Sequence, residues 1–149
     1  MKILDHIVII DSREQKPLKF KMFETEVKGM KTGDYTVKGM EDLICIERKS
    51  KSDLISTLTQ KINRERFKRE IDRMKPFKYK CVVVESDMIK LWVQSRFSKA
   101  TPSSYINTAC QWSARYVPFY FCNNKTQARH FVEQFILGAI KEEIEIGEK

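Results

Sequence analysis

The sequence predicts an α/β fold, a single domain with a mixed central sheet flanked by helices. Three observations predict it. Short apolar runs recur along the 149 residues, each bounded by polar or turn residues, as strands are. Between several of them lie longer stretches with apolar residues at helical spacing. The chain is long enough for one core, with 42% apolar and 32% charged residues to build it and coat it.

The elements follow in order. Ile7-Val8-Ile9-Ile10 is a continuous apolar run ending at Asp11, which suits a buried strand with an acid at its carboxyl end. Residues 22–28 alternate well enough for a second strand. Gly33 punctuates before Asp34-Tyr35-Thr36-Val37, a third, and residues 38–42 form a turn candidate. Leu43-Ile44-Cys45-Ile46-Glu47 reads as a fourth strand. So short a connection predicts that the third and fourth pair as a hairpin, which brings Asp34 towards Glu47. Alternation puts Glu47 and Lys49 on one face and turns Arg48 away.

Asp53 caps or opens a helix running to about Met74. Leu54, Ile55, Leu58 and Ile62 lie on one stripe; Phe67, Ile71 and Met74 continue it after a phase slip near Asn63-Arg64. Pro76 stops the helix. Tyr79 to Glu85 is a strong buried strand. Ser86-Asp87 begins a short helix from Met88 to Gln94, and residues 95–101 form a polar loop. Thr101-Pro102 opens a helix to about Tyr116. Val117 to Cys122 is a further strand. Thr126 to about Glu145 is a final amphipathic helix with Phe131, Phe135, Ile136 and Ile140 inward.

Composition excludes several classes. No apolar run approaches the roughly 20 residues that span a bilayer, so no membrane role is expected. The N-terminus lacks a signal-peptide core, and an intracellular protein is expected. Cys45, Cys81, Cys110 and Cys122 form no C-x-x-C pair and read as reduced and mostly buried, not as a zinc site. His6 and His130 have no metal-binding companion nearby.

The net charge of +8 is confined to one segment. From Arg48 to Lys80 there are 12 Lys and Arg against 4 Asp and Glu, and the remainder is balanced. A surplus placed this way, directly after Glu47, points to a polyanionic partner such as nucleic acid. Lys61, Arg64, Arg66, Lys68, Arg69 and Arg73 are the expected phosphate contacts, which position a duplex without reading its sequence. Most aromatics of the second half should pack in the core. Trp92 and Trp112 are the first candidates for exposed rings that stack on bases.

Acids and an amine beside that charge suggest phosphodiester cleavage. Magnesium or manganese screens the phosphate, acidifies bound water and stabilises the leaving oxygen, and both ions prefer carboxylate ligands. Asp34 and Glu47 are the natural ligands, with Asp11 a candidate third. Lys49, on the face of Glu47, orients water or neutralises phosphate charge.

These residues also form a pattern. Asp11-Ser12-Arg13-Glu14, then Gly33-Asp34-Tyr35, then Glu47-Arg48-Lys49 with three residues before Asp53, resemble the XPF-type structure-specific endonuclease family. Its signature, G-D followed at a distance by E-R-K-x-x-x-D, is matched at every position. Arg66-Phe67 with Glu70 and Arg73 resembles the helix after that signature. The likeness is close over about residues 7–86, and beyond them it is one of layout. It implies a restriction-endonuclease-like fold and Mg²⁺- or Mn²⁺-dependent cleavage of branched, flapped or forked DNA in repair or recombination. It implies Asp34 and Glu47 as metal ligands with Asp11 as a third, and a catalytic Lys49. Asp53 would support the site, Arg48 would be structural or contact phosphate, and Arg13 would hold the site or a phosphate. The 149 residues leave room for neither the helix-hairpin-helix module nor the helicase domain that relatives carry. Pairing into a homodimer or heterodimer would use the C-terminal helices. Two other readings compete: a non-catalytic DNA-binding subunit, and an RNA-directed nuclease.

Overall fold

A computed structural model of the chain describes residues 2–93 and 99–148. Six strands form one mixed sheet: β1 (Ile7–Asp11), β2 (Glu24–Lys28), β3 (Tyr35–Val37), β4 (Ile44–Ser50), β5 (Tyr79–Glu85) and β6 (Phe119–Phe121). Their order across the sheet is β2-β1-β3-β4-β5-β6. β3 runs antiparallel to both β1 and β4, and the other pairs are parallel. The helices are α1 (Lys51–Thr59), α2 (Lys61–Met74), α3 (Met88–Leu91), α4 (Pro102–Arg115) and α5 (Lys125–Gly147). None in the described residues is long and apolar enough to cross a membrane.

Strand alternation divides the core in two. Val8, Ile10, Tyr35, Val37, Ile44, Ile46, Cys81 and Val83 face α5 and the segment carrying Leu18 and Phe23. Cys45, Val82 and Val84 face α1, α2 and α4 on the other side. The apolar face of α5 thus covers the chain's own sheet. Ile136 and Ile140 are inward as expected, whereas Phe131 and Phe135 are only partly buried at its margin. Glu133, buried on α5, accepts from the Lys21 and Met22 N–H groups at 2.6 and 3.2 Å and pairs with Arg129 at 3.2 Å. That carboxylate fixes the segment before β2 to the helix.

The hairpin of β3 and β4 is present, with Tyr35 opposite Ile46. Gly39, at φ +86°, turns its connection. β4 runs three residues past Glu47, because Arg48, Lys49 and Ser50 pair with Val83, Val84 and Glu85 of β5. The register places Glu47 and Lys49 beside Val82 and Val84, towards α1 and α2. Arg48 falls on the opposite face.

The single long helix expected over 53–74 is two. Gln60 is extended (φ −92°, ψ 124°) and caps both segments. The phase slip is therefore a break, three residues before the expected place. The turn it introduces leaves Ile62 70% exposed, off the stripe of Leu54, Ile55, Leu58, Phe67, Ile71 and Met74. The N-cap of α1 is Ser50, whose hydroxyl accepts from the Asp53 N–H at 3.2 Å. Asp53 sits in the first turn and caps nothing. Trp92 is 53% exposed, as expected, but Trp112 is buried against Phe67. α3 ends at Leu91, short of the expected Gln94: Trp92 and Val93 form a turn and a bend, and Gln94 with most of the polar loop after it lies outside the described residues.

Candidate active site

Asp34 and Glu47 meet where β3 leaves its preceding loop and β4 approaches α2. The Asp34 N–H donates to the Ile46 carbonyl at 2.8 Å, and its own carbonyl accepts from the Asp11 N–H at 2.8 Å. Its Oδ2 accepts from the Arg48 N–H at 2.8 Å. The backbone thus aims the carboxylate at β4. Gly33 permits this approach. Its φ is +81°, and a Cβ would stand 2.6 Å from Cys45 Sγ and 3.2 Å from the Ile46 carbonyl oxygen. Gly33→Ala is expected to destabilise the protein by about 2–4 kcal/mol, combining left-handed strain with overpacking. Urea unfolding measures it; wild-type stability would refute the close approach.

Glu47 is 6% exposed. Its Oε1 lies 3.9 Å from Lys49 Nζ, and its Oε2 is buried without a hydrogen-bond partner. Lys49 Nζ also sits 4.7 Å from the centre of the Phe67 ring, which fixes the amine above the carboxylates. Burial pushes the Asp34 carboxyl up to about 7, helped by Glu14 and Glu70 and opposed by the Arg48 N–H and Lys49. Burial pushes Glu47 well above the carboxylate range, and Asp34 and Glu70 add to it. Glu70 approaches Glu47 within hydrogen-bonding reach, and without a metal the raised Glu47 carboxyl keeps a proton that the pair can share. Neighbouring acids with one amine between them fit a hard divalent cation, which would supply the missing charge and a partner for Glu47 Oε2.

Glu70 received no role from the sequence alone. Its signal was spacing: three residues after Phe67 and beside buried Ile71, it lies at the margin of the inward face of α2.

Asp11 is placed differently. It is 2% exposed, but both oxygens are engaged: Oδ1 accepts from the Met30 N–H at 2.9 Å and Oδ2 pairs with Arg13 Nε at 2.8 Å. Burial raises this carboxyl, while Met30 and Arg13 outweigh it and hold it below the usual value. Asp11, Asp34 and Glu47 form no three-ligand group as they stand; the described residues contain none. Magnesium commonly takes one or two carboxylates and completes its shell with water and phosphate, so Asp34 and Glu47 are sufficient protein ligands. Arg13 also donates to the Met30 carbonyl at 2.9 Å, so it braces the site's wall.

Arg48, expected as a structural or phosphate-contacting group, is structural. Its guanidinium donates to Glu85, to Glu14 at 2.9 Å and to the Lys16 carbonyl at 2.7 Å. Tyr35 Oη joins this network by donating to Glu14 at 2.6 Å. Only 13% of the Arg48 side chain is exposed, which leaves little for a phosphate. Asp53 lines a cavity with Arg13, Glu14, Arg48, Ser50 and Glu85.

The cations of α2 divide. Lys61, Arg64, Lys68 and Arg69 line an open groove with Glu65 and Trp112. Arg64 lies 5.9 Å from the Trp112 ring, and Lys68 is held by Asp72 at 2.6 Å and by the Tyr116 ring at 4.2 Å. Lys61 and Arg69 have no ion pair in the described residues. Arg66 and Arg73 are exposed and, by helical spacing, share the side of Glu70.

The family described as the ERCC4 domain matches residues 10–135. Comparison with curated proteins finds no match. Among solved structures, XPF from Aeropyrum pernix superposes with a TM-score of 0.68 at 17% identity, over 87% of this chain and 59% of that one. XPF from Aeropyrum pernix in complex with DNA gives 0.70 at 18% identity, over 91% and 66%. The chain therefore spans about two thirds or less of each of these two structures.

Proposed function

The chain belongs to the ERCC4 domain family, and on that premise we propose that it is a divalent-metal-dependent DNA endonuclease. One observation carries the reading: Asp34 and Glu47 converge with Lys49, and burial with mutual repulsion holds both carboxyls above their ordinary range, as a site short of positive charge would. Asp34 and Glu47 would hold Mg²⁺ or Mn²⁺. When bound, the ion would polarise a phosphate oxygen and acidify a coordinated water. Lys49, steadied by Phe67, would contact the phosphate or hold the attacking water by hydrogen bonding. The Arg48 N–H keeps Asp34 aimed, and Arg13 with Asp11 holds the adjoining loop. The nuclease chemistry lies in this one unit, acting inside the cell wherever its DNA is.

The groove of Lys61, Arg64, Lys68 and Arg69 would take the duplex backbone. Branched, flapped or forked DNA in repair or recombination is the proposed substrate class; the related structure in complex with DNA supports DNA as the ligand. A second subunit would have to meet the exposed residues of α5, whose apolar face already covers its own sheet.

The test is cleavage of single-stranded, duplex, flapped, forked and four-way DNA, with matched RNA forks, with and without Mn²⁺. Cleavage of DNA forks only with the ion supports the proposal. Tight binding without cutting would make the protein a non-catalytic subunit. Preference for RNA would reassign the substrate. Duplex affinity should fall steeply with salt, and the combined Lys61→Ala and Arg69→Ala variant should reduce the salt slope by about 1.8. An unchanged slope, read by fluorescence anisotropy, would remove these cations from the interface.

A further inference from the structure

Helices cover the sheet face that carries Asp34 and Glu47 over only half its width. α1, α2 and α4 pack on β4, β5 and β6. Over β1 and β3 the same face opens into a cavity of about 360 Å³, a ligand-sized volume. Its lining includes Ile9 and Thr36, which are opposite one another in the β1–β3 register. Ile9 is 1% exposed yet belongs to neither helix-packed core. Met30 and Phe77 add apolar walls, and Lys28 and Lys31 supply charge.

The loop that forms this wall is fixed by the candidate site itself. Asp11 accepts the Met30 N–H and Arg13 donates to the Met30 carbonyl. Cys45 Sγ donates to the Thr32 carbonyl at 3.6 Å. Thr32 lines the cavity and is two residues from Asp34, so their Cα atoms are within about 7 Å. The cavity therefore adjoins the site along one continuous sheet face.

Its chemistry is amphipathic. Two lysines face one acid, Glu41. Neither lysine has an ion pair in the described residues, whereas nearby Glu26 is neutralised by Lys38 at 3.3 Å. Apolar and aromatic walls from Met30 and Phe77 with a cationic rim complement a flat base joined to a phosphate. A duplex stacks its base faces against one another and exposes only their edges, so no face is free to lie on an apolar wall. A recessed cavity of this size admits single unpaired nucleotides.

We propose that this cavity receives an unpaired DNA strand, with bases against Phe77 and Met30 and phosphates at Lys28 and Lys31, leading directly to Asp34. The inference rests on the nuclease reading and deepens it. The duplex arm lies along α2, the single strand lies over β1 and β3, and the carboxylates stand between them. Selection of a junction then follows from two surfaces of different character on either side of one site.

The test uses the full chain in EDTA, so that nothing is cut. Fluorescence anisotropy compares an unpaired oligonucleotide with a blunt duplex for wild type and the combined Lys28→Ala and Lys31→Ala variant. Single-strand affinity should fall roughly tenfold and its salt slope by about 1.4, with duplex affinity unchanged. Strands carrying 5-iododeoxyuridine should crosslink to Met30 or Phe77, located by mass spectrometry. Unchanged single-strand affinity, or crosslinks confined to the α2 groove, would overturn the inference while leaving the nuclease reading standing. Equal losses for both DNAs would also overturn it, by making the lysines a general phosphate surface. Failure to bind either DNA would instead reject the nuclease reading.

Discussion

Asp34→Asn is expected to abolish cleavage and, in metal-free buffer at neutral pH, to make the protein more stable. The two effects have one cause. The folded protein holds the Asp34 carboxyl near 7, against an ordinary value of 3.8, chiefly by burial. Between about pH 4 and 7 the folded state therefore binds a proton that the unfolded chain has released. Stability falls as pH rises through that window, and above it the fold carries an ionised, half-buried carboxylate. An asparagine has no charge to bury, and its side-chain oxygen can still accept the Arg48 N–H. The gain should be on the order of 2 kcal/mol. Cleavage should fall by about 10³-fold or more, because a ligand charge is lost. Thermal unfolding in EDTA from pH 4 to 8 measures the first, and cleavage of a forked substrate measures the second. Adding Mn²⁺ should narrow the stability gap by stabilising the wild type alone. A variant that cuts normally, or is less stable than wild type at pH 7.5, rejects the assignment of Asp34.

Arg48→Ala should have the second-largest effect, on stability and not on binding. The guanidinium joins Glu14 and Glu85, which come from opposite halves of the domain. Removing it leaves two largely buried carboxylates without their cation and the Lys16 carbonyl without its donor. The expected cost is about 3 kcal/mol, read by urea unfolding. Duplex affinity should remain that of wild type under conditions where the variant is folded. A specific loss of DNA affinity with normal stability would restore Arg48 as a phosphate contact.

What could be read from the residues beforehand was local. The hairpin followed from apolar runs around a short glycine-containing turn. The shared face of Glu47 and Lys49 followed from alternation alone. What could not be read depended on partners distant in the chain. Arg48 meets Glu85 across 37 positions and Glu14 across 34, and nothing adjacent to Arg48 announces either. Asp11 resembles a free ligand until Met30, 19 positions later, occupies one of its oxygens. The break at Gln60 escaped because the stripe resumes after it; only Ile62, turned to solvent, marks the difference. Trp112 was named as a ring for bases, but it packs against Phe67 of α2 and is buried there. Asp53 matched the signature in sequence, and in the structure it lines the cavity of Glu14, Arg48, Ser50 and Glu85.

The rim of the sheet has a consequence for self-association. β2 lies at one edge with every residue exposed, and its sequence is Glu24-Thr25-Glu26-Val27-Lys28. Unpaired edges invite fibril-like growth by strand addition, and alternating acids with a terminal lysine oppose it by repulsion and hydration. The opposite edge, β6, is only three residues long. Copies of this chain are thereby discouraged from stacking edge to edge at the high local concentrations that a long polyanion imposes on its binders.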